Sequence, residues 1–349
     1  MKKTGLQGYK KNFIRFLSVF MIVFPWITYL NLEQYTEAEK SIFGGYEGIS
    51  IDFFLQQKVV VLVLVAVIAL LWFLGERFLP QKVDNQVPLL KGNNKVLFVL
   101  SGVFVLGTVI STVFSSYQKN ALWGSPTVGE GLWVLLGYVV IIFAFYNSFA
   151  NEYAFDMAKI AITALTGITL FLSLIEWFYK PLLEIGLVQA LVAPAKYADI
   201  VTQMKAVVFD DAIALTLYNP GYFGGFVCLL LPFVLMYCLQ AKKMQEKLLY
   251  GGLFAGLLFS VVTANTTTAL YIVIFEVVVV LVACLFAPMT GTDTKNSSKQ
   301  SATKGLLLQS GGMLVVAIVA LLLSGSITGN SFFNIFSNAN SATGNTQAE

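Results

Sequence analysis

The chain has 349 residues, of which 57% are hydrophobic and 12% are charged, and its formal net charge is +3. Because soluble proteins carry about 25% charged residues, this composition excludes an ordinary soluble domain. The chain contains no histidine, which removes the commonest metal ligand and general base. We therefore expect no metal site, and as a separate expectation we assign no cofactor. Its basic residues form no clustered face of the kind that binds nucleic acid, so we expect no such partner.

Nine long apolar runs follow one another along the chain, and most approach the ~20 residues that an α-helix needs to cross a bilayer. Continuous runs of this kind predict helices, which satisfy their own backbone hydrogen bonds in lipid. Residues 1–328 are therefore predicted to form an all-α, polytopic transmembrane helical bundle with about nine spans. The predicted spans are Phe13–Leu30, Val59–Leu79, Val96–Phe114, Gly131–Ala150, Met157–Trp177, Gly221–Leu239, Leu248–Val262, Thr268–Ala287 and Gly305–Ile327.

The distribution of positive charge predicts which side of the membrane each loop faces. With the amino terminus in the cytoplasm, 16 of the 22 basic residues fall on cytoplasmic segments or inner span ends. Cytoplasmic loops are enriched in Lys and Arg, so this orientation is favoured and the carboxyl terminus is extracytoplasmic. Residues 329–349 then form a polar outer tail. This tail is either a disordered terminus or the start of a large loop, in which case the chain is the N-terminal part of a longer protein.

Three predicted outer segments combine turn-forming residues with amides, hydroxyls or aromatic rings. The first, Ser115–Leu132, contains Trp123 and Glu130. The second contains Asn219 and Tyr222 at the start of the sixth span, and the third contains Asn265 and Thr267 between the seventh and eighth. Aromatic residues at a membrane interface often serve only as belt residues, and Asn or Thr in a turn often only caps a helix. Trp123 can also stack on the face of a sugar.

Two acidic residues lie within predicted spans, where ionisable groups are costly and are candidates for function. Glu276 lies near the middle of the eighth span and Glu176 near the outer end of the fifth. Two interpretations of Glu276 remain: a protonated carboxyl that is hydrogen-bonded between helices, or a proton relay or substrate contact.

In this order, the three outer segments resemble the O-antigen ligase and O-antigen polymerase superfamily. FSSYQKNALWGSPTVGEGL is similar to the family's "S…ALWGS…EGL" stretch, TLYNPGYFGGFVCLLLP to "TLxNPNxxGxYxxLLLP", and TANTTTALYI stands in the place of "T-x-S-R-T/G-A-L". The resemblance covers roughly residues 95–290. It implies a metal-independent glycosyltransferase of the bacterial cytoplasmic membrane, which transfers a glycan from an undecaprenyl-diphosphate carrier at the outer face. Ligase and polymerase remain alternatives, since both use this donor.

The chain departs from the family at the positions of the catalytic cations. One family arginine falls on Thr267, another falls near Ala212 or Ile213 beside Asp210 and Asp211, and the family's histidine has no counterpart. Catalytic residues are therefore unassigned. The predicted substrate-binding residues are Trp123, Glu130, Lys196, Lys205, Asp210, Asp211, Asn219, Tyr222, Asn265 and Thr267.

Lys196 and Lys205 can substitute for the arginines in part, as point charges without the bidentate geometry of a guanidinium. We expect Asn219, Tyr222, Trp123 and Lys205 to border one outward-open cleft. The alternatives to glycan transfer are a non-catalytic relative, a secondary carrier for an envelope lipid or small solute, and a membrane scaffold.

Overall fold

The computed structural model describes residues 8–34, 49–52, 56–78, 94–124, 129–149, 151–193, 197, 212–217, 219–286 and 296–329. The described helices are α1 Gly8–Val23, α2 Gln56–Phe78, α3 Asn94–Val113, α4 Gln118–Trp123, α5 Leu132–Ser148, α6 Glu152–Phe178, α7 Gly186–Val192, α8 Pro220–Gln240, α9 Met244–Ala264, α10 Thr267–Phe286 and α11 Asn296–Thr328. Short 3-10 turns lie at Phe24–Trp26, Leu182–Glu184 and Leu215–Leu217. The chain divides into two compact units, Met1–Lys159 and Ile160–Glu349.

Six of the described helices are long and apolar enough to cross a membrane: α2, α3, α6, α8, α9 and the Gly311–Thr328 part of α11. Two shorter apolar helices, Leu132–Ser148 and Thr267–Val280, accompany them. The prediction of a helical, multi-pass membrane protein is therefore confirmed.

Each of the nine predicted runs overlaps a helix, but the boundaries differ clearly at the first, fifth, seventh and ninth, where α6 begins at Glu152 and α11 at Asn296. The first helix ends at Val23, where Pro25 lies within the turn Phe24–Trp26. Proline has no backbone N–H and does not continue a helix, so the α-helix does not extend to Leu30 as the prediction has it. The seventh, α9, is longer than its apolar run because it begins at Met244. Its polar first turn consists of good helix formers.

A short antiparallel hairpin was not foreseen by the all-α prediction. Strand β1, Asn31–Gln34, pairs with β2, Ile49–Asp52, in a register that sets Asn31 opposite Asp52. Both strands lie between the first and second predicted spans, Phe13–Leu30 and Val59–Leu79.

The first unit is held together by ring packing near α1. The rings of Phe13 and Trp72 are stacked with their centroids 4.6 Å apart, and Leu17 is fully buried beside them. The Nε of Arg15 donates a hydrogen bond of 2.8 Å to the hydroxyl of Tyr153. This contact joins α1 to the start of α6.

The second unit is built around α8. In the most apolar stretch of α8, 61% of the residues are buried, against 22% in that of α11. A polar seam runs along one side of α6, where Thr166, Thr169 and Ser173 are all fully buried. The hydroxyl of Ser260 on α9 donates to the hydroxyl of Ser173 at 3.2 Å. Because lipid offers polar groups no partners, such hydrogen bonds help to join transmembrane helices.

Candidate functional site

Residues 219–225, here called the Asn219 turn, begin helix α8. The side-chain Oδ1 of Asn219 accepts a hydrogen bond of 2.7 Å from the backbone N–H of Gly221, which satisfies one of the free donors at the helix start. Pro220 occupies the first helical position, where its missing N–H costs nothing. Asn219 is exposed and Tyr222, in the first turn, is 57% exposed. Both predicted site residues are therefore open to a ligand.

The turn between α9 and α10 contains the third predicted segment. Asn265 has the left-handed conformation, with φ 52°, and its N–H donates to the carbonyl of Val262 at 3.1 Å. Asn adopts this conformation more readily than most residues. Thr267 is the first residue of α10. Asn265 therefore ends helix α9 through its backbone, which differs from the predicted side-chain cap at a helix start. Its side chain is exposed.

These two turns pack directly against each other. A Cβ placed on Gly224 of α8 would lie 2.7 Å from the Oγ1 of Thr266 and 2.9 Å from the Cβ of Ala269. A larger residue at position 224 would therefore force this helix crossing to shift. The N–H of Ile213, just before the Asn219 turn, donates to the carbonyl of Thr263 at 3.0 Å. Two of the three segments on which the resemblance depends thus meet at one end of the second unit.

The carboxylate of Glu176 joins two backbone segments near this end of the second unit, and we call this set of hydrogen bonds the Glu176 tether. Its Oε1 accepts hydrogen bonds from the N–H groups of Ala214 (3.1 Å) and Leu215 (3.2 Å), and its Oε2 accepts one from the N–H of Leu182 (3.2 Å). Leu215 is buried and has a φ of 53°, a conformation that costs a non-glycine residue about 1–3 kcal/mol. Glu176, predicted as a candidate for function within a span, therefore positions the backbone that leads into the Asn219 turn.

The Trp123 segment belongs to the first unit. Trp123 ends helix α4 and is 66% exposed. Glu130 is exposed, and its Oε1 accepts a hydrogen bond of 3.2 Å from the hydroxyl of Tyr138. Both predicted site residues therefore lie on the surface of this unit.

Four predicted binding residues, Lys196, Lys205, Asp210 and Asp211, lie outside the described residues. The predicted cleft joining Trp123, Asn219, Tyr222 and Lys205 stays a prediction, because it combines residues of two units with one that is not described. Among the described residues, no group of three or more His, Cys, Asp or Glu side chains could hold a metal ion.

Glu276 lies near the middle of α10, as predicted. Its Oε2 is buried and makes no hydrogen bond with any residue that the structure describes. The neighbouring Val277 and Val280 face a small apolar cavity that is also lined by Met313 and Leu314 of α11. The predicted interhelical hydrogen bond is therefore not formed within the described part of the chain.

Sequence reasoning missed two residues of these sites. Thr266 has a buried Oγ1 with no hydrogen-bond partner among the described residues, and it touches α8 at Gly224. Trp133 forms a ring pair with Trp123, but it lies inside an apolar run where aromatic residues are common. The only signal for Thr266 was its place within a run of three threonines.

No protein-family model, no curated protein and no solved structure matches this chain. The motif resemblance is therefore the basis on which a function can be proposed.

Proposed function

We propose that this protein transfers or polymerises a glycan from an undecaprenyl-diphosphate carrier at the outer face of a bacterial cytoplasmic membrane. The observation that carries the proposal is the packing of the Asn219 turn on the turn that contains Asn265, through Gly224 and Thr266. These turns are separate in sequence, and both were selected by their motifs. Their meeting is what a shared substrate site requires.

The chemistry of this end of the unit suits a diphosphate. Helices α8 and α10 both begin here, at Pro220 and Thr267. The start of a helix carries partial positive charge and free N–H donors, and it favours an anion by roughly 0.3–1 kcal/mol. The exposed amides of Asn219 and Asn265 add hydrogen-bond donors. We propose that Lys196 and Lys205 supply the remaining positive charge.

The proposed orientation has nine spans, with the amino terminus in the cytoplasm. The bias of Lys and Arg supports it, because 16 of 22 basic residues then lie on the cytoplasmic side. In this orientation the Asn219 and Asn265 turns face outward, where a carrier-linked glycan is presented. A cysteine introduced beside Tyr222 should then react with a membrane-impermeant thiol reagent in intact cells, and no reaction would contradict the orientation.

Deletion of the gene tests the function. We expect the deletion strain to lose a surface polysaccharide and the wild-type gene to restore it. Tyr222→Ala and Asn265→Ala should restore it poorly. Tyr179→Ala is the control, because Tyr179 is 75% exposed and lies outside both turns. An unchanged polysaccharide in the deletion strain would refute the proposal.

A secondary carrier is the second candidate, and Glu276 is the observation that favours it. A buried carboxyl oxygen without a hydrogen-bond partner among the described residues is a candidate for proton exchange within the membrane. In proteoliposomes with an imposed membrane potential, a carrier of this kind would move protons, and Glu276→Gln would abolish the flux. No flux from the wild-type protein would count against this candidate.

A further inference from the structure

The loop after α4 is closed by direct contact between two backbone segments, residues 122–124 and 129–131, here called the glycine clasp. A Cβ on Gly124 would lie 2.2 Å from the carbonyl carbon of Gly129, and one on Gly131 would lie 2.3 Å from the backbone nitrogen of Gly124. Gly124 also has a φ of 93°, which favours glycine. Only glycine allows the two segments to approach so closely.

Two tryptophan side chains, one within the glycine clasp and one just after it, are exposed. The rings of Trp123 and Trp133 have centroids 6.2 Å apart and are tilted by 49°. Trp123 is 66% exposed and Trp133 is 45% exposed. A tryptophan side chain stabilises a protein core or an interface mainly by burying about 150–250 Å² of surface. A fixed backbone that displays two such rings leaves that surface available to a ligand.

The glycine clasp also contains a side chain that accepts hydrogen bonds. Glu130 belongs to the glycine clasp between Gly129 and Gly131, and its Oε1 accepts from the hydroxyl of Tyr138 at 3.2 Å. Its other carboxyl oxygen accepts no hydrogen bond from the described residues, and the side chain is exposed. The apolar ring faces of Trp123 and Trp133 therefore lie close in sequence to an anionic hydrogen-bond acceptor, Glu130.

We propose that Trp123, Trp133 and Glu130 form a binding site for an uncharged pyranose ring. One face of a pyranose presents C–H groups with partial positive charge, which are attracted to the negative face of an indole. Its equatorial hydroxyls donate hydrogen bonds, and a carboxylate only accepts them. The carboxylate also repels phosphate and acidic sugars, which separates this site from one for the diphosphate.

The identity of the sugar, as part of the carrier-linked glycan, rests on the proposed function. The competing occupant is the lipid headgroup region, where tryptophans form an interfacial belt. A belt ring needs neither the backbone contact of the glycine clasp nor an adjacent acceptor, so these two features favour the sugar.

Saturation-transfer NMR on the full chain in nanodiscs tests this site. The probe is the set of neutral oligosaccharides released by mild acid from the envelope polysaccharide of the source organism. Trp123→Ala and Trp133→Ala should each weaken binding at least tenfold, and Glu130→Gln should weaken it about threefold, as expected for a stacked ring and one charge-assisted hydrogen bond. Phe114→Ala is the control, because Phe114 is 83% exposed in the same unit and should bind as the wild type does.

Trp123→Phe keeps an aromatic face and should retain partial binding, which covers the case in which an alanine variant does not fold. A belt role would appear as no oligosaccharide binding by the wild type, with the tryptophan variants reducing only thermal stability, and would overturn the proposal. If the deletion strain loses its polysaccharide while the probe does not bind, glycan transfer stands without this site. If the probe binds and the deletion strain is unchanged, the sugar site stands without glycan transfer.

Discussion

The glycine clasp and the Asn219 turn both contain motif glycines, but those glycines have opposite effects. In the clasp, Gly124 and Gly131 bring backbone against backbone and leave the ring of Trp123 outside. In the turn, Gly224 brings helix α8 against the side chains of Thr266 and Ala269, which closes the interior. We therefore expect changes in the clasp to affect binding more than folding, and changes at Gly224 to affect folding first.

The largest effect is expected from Glu176→Ala, which removes the acceptor of three backbone N–H groups. A buried donor that loses its partner costs about 1–3 kcal/mol. Water at the end of the helix bundle will replace part of this, so we expect a loss of about 3 kcal/mol in the free energy of unfolding in detergent micelles. The backbone amides of Ala214 and Leu215 should also exchange with deuterium faster.

Two variants serve as controls for Glu176. Glu184→Ala removes a carboxyl from the adjacent 3-10 turn that is not engaged in these three hydrogen bonds, and it should change stability by less than about 0.5 kcal/mol. Glu176→Gln keeps one oxygen acceptor and should lie between the two alanine variants. Equal stability of Glu176→Ala and Glu184→Ala would show that the tether does not contribute.

Gly224→Ala is expected to cost about 2 kcal/mol, because the added methyl group overpacks the crossing with Thr266 and Ala269. Its matched control is the next residue. A Cβ on Gly225 meets nothing within 4 Å, so Gly225→Ala should be neutral or slightly stabilising in the helix. The thermal denaturation of both variants measures the difference. Similar behaviour of the two would contradict the close packing of the turns.

Gly124→Ala should cost about 1–2 kcal/mol locally, since alanine is strained at a φ of 93° and its Cβ meets backbone rather than a movable side chain. The clasp should open, and the Trp123–Trp133 ring contact should be lost with little change in the melting temperature. Hydrogen exchange over residues 118–124 measures the opening. Gly107→Ala, where nothing lies within 4 Å, is the control, and equal exchange in the two variants would contradict the clasp.

The helices were largely predictable from sequence because each apolar run is local, and its length alone indicates a span. The three hydrogen bonds that Glu176 accepts were not predictable from sequence. Glu176 was placed correctly near a helix end, but two of its partners lie 38 and 39 residues further along the chain. Their position depends on how the intervening segment folds, which no periodicity reports. Trp133 was missed for a different reason, since one exposed tryptophan within an apolar run does not differ in sequence from a buried one.

Asn219 gives the smallest expected change in stability and separates folding from binding at the proposed site. Asn219→Ala loses the cap on the N–H of Gly221 and should cost about 1 kcal/mol. Asn219→Asp keeps the acceptor and adds a negative charge that the helix start favours, so its stability should equal that of the wild type. The same charge repels a diphosphate, and the variant has also lost the amide donor.

We therefore expect Asn219→Asp to fold normally and to fail in restoring the surface polysaccharide of the deletion strain. Asn219→Ser also keeps a capping oxygen but adds no charge, and it should restore the polysaccharide in part. If Asn219→Asp restored it fully, Asn219 would be a cap alone. The Asn219 turn would then contribute to the structure of the second unit without contacting an anionic substrate.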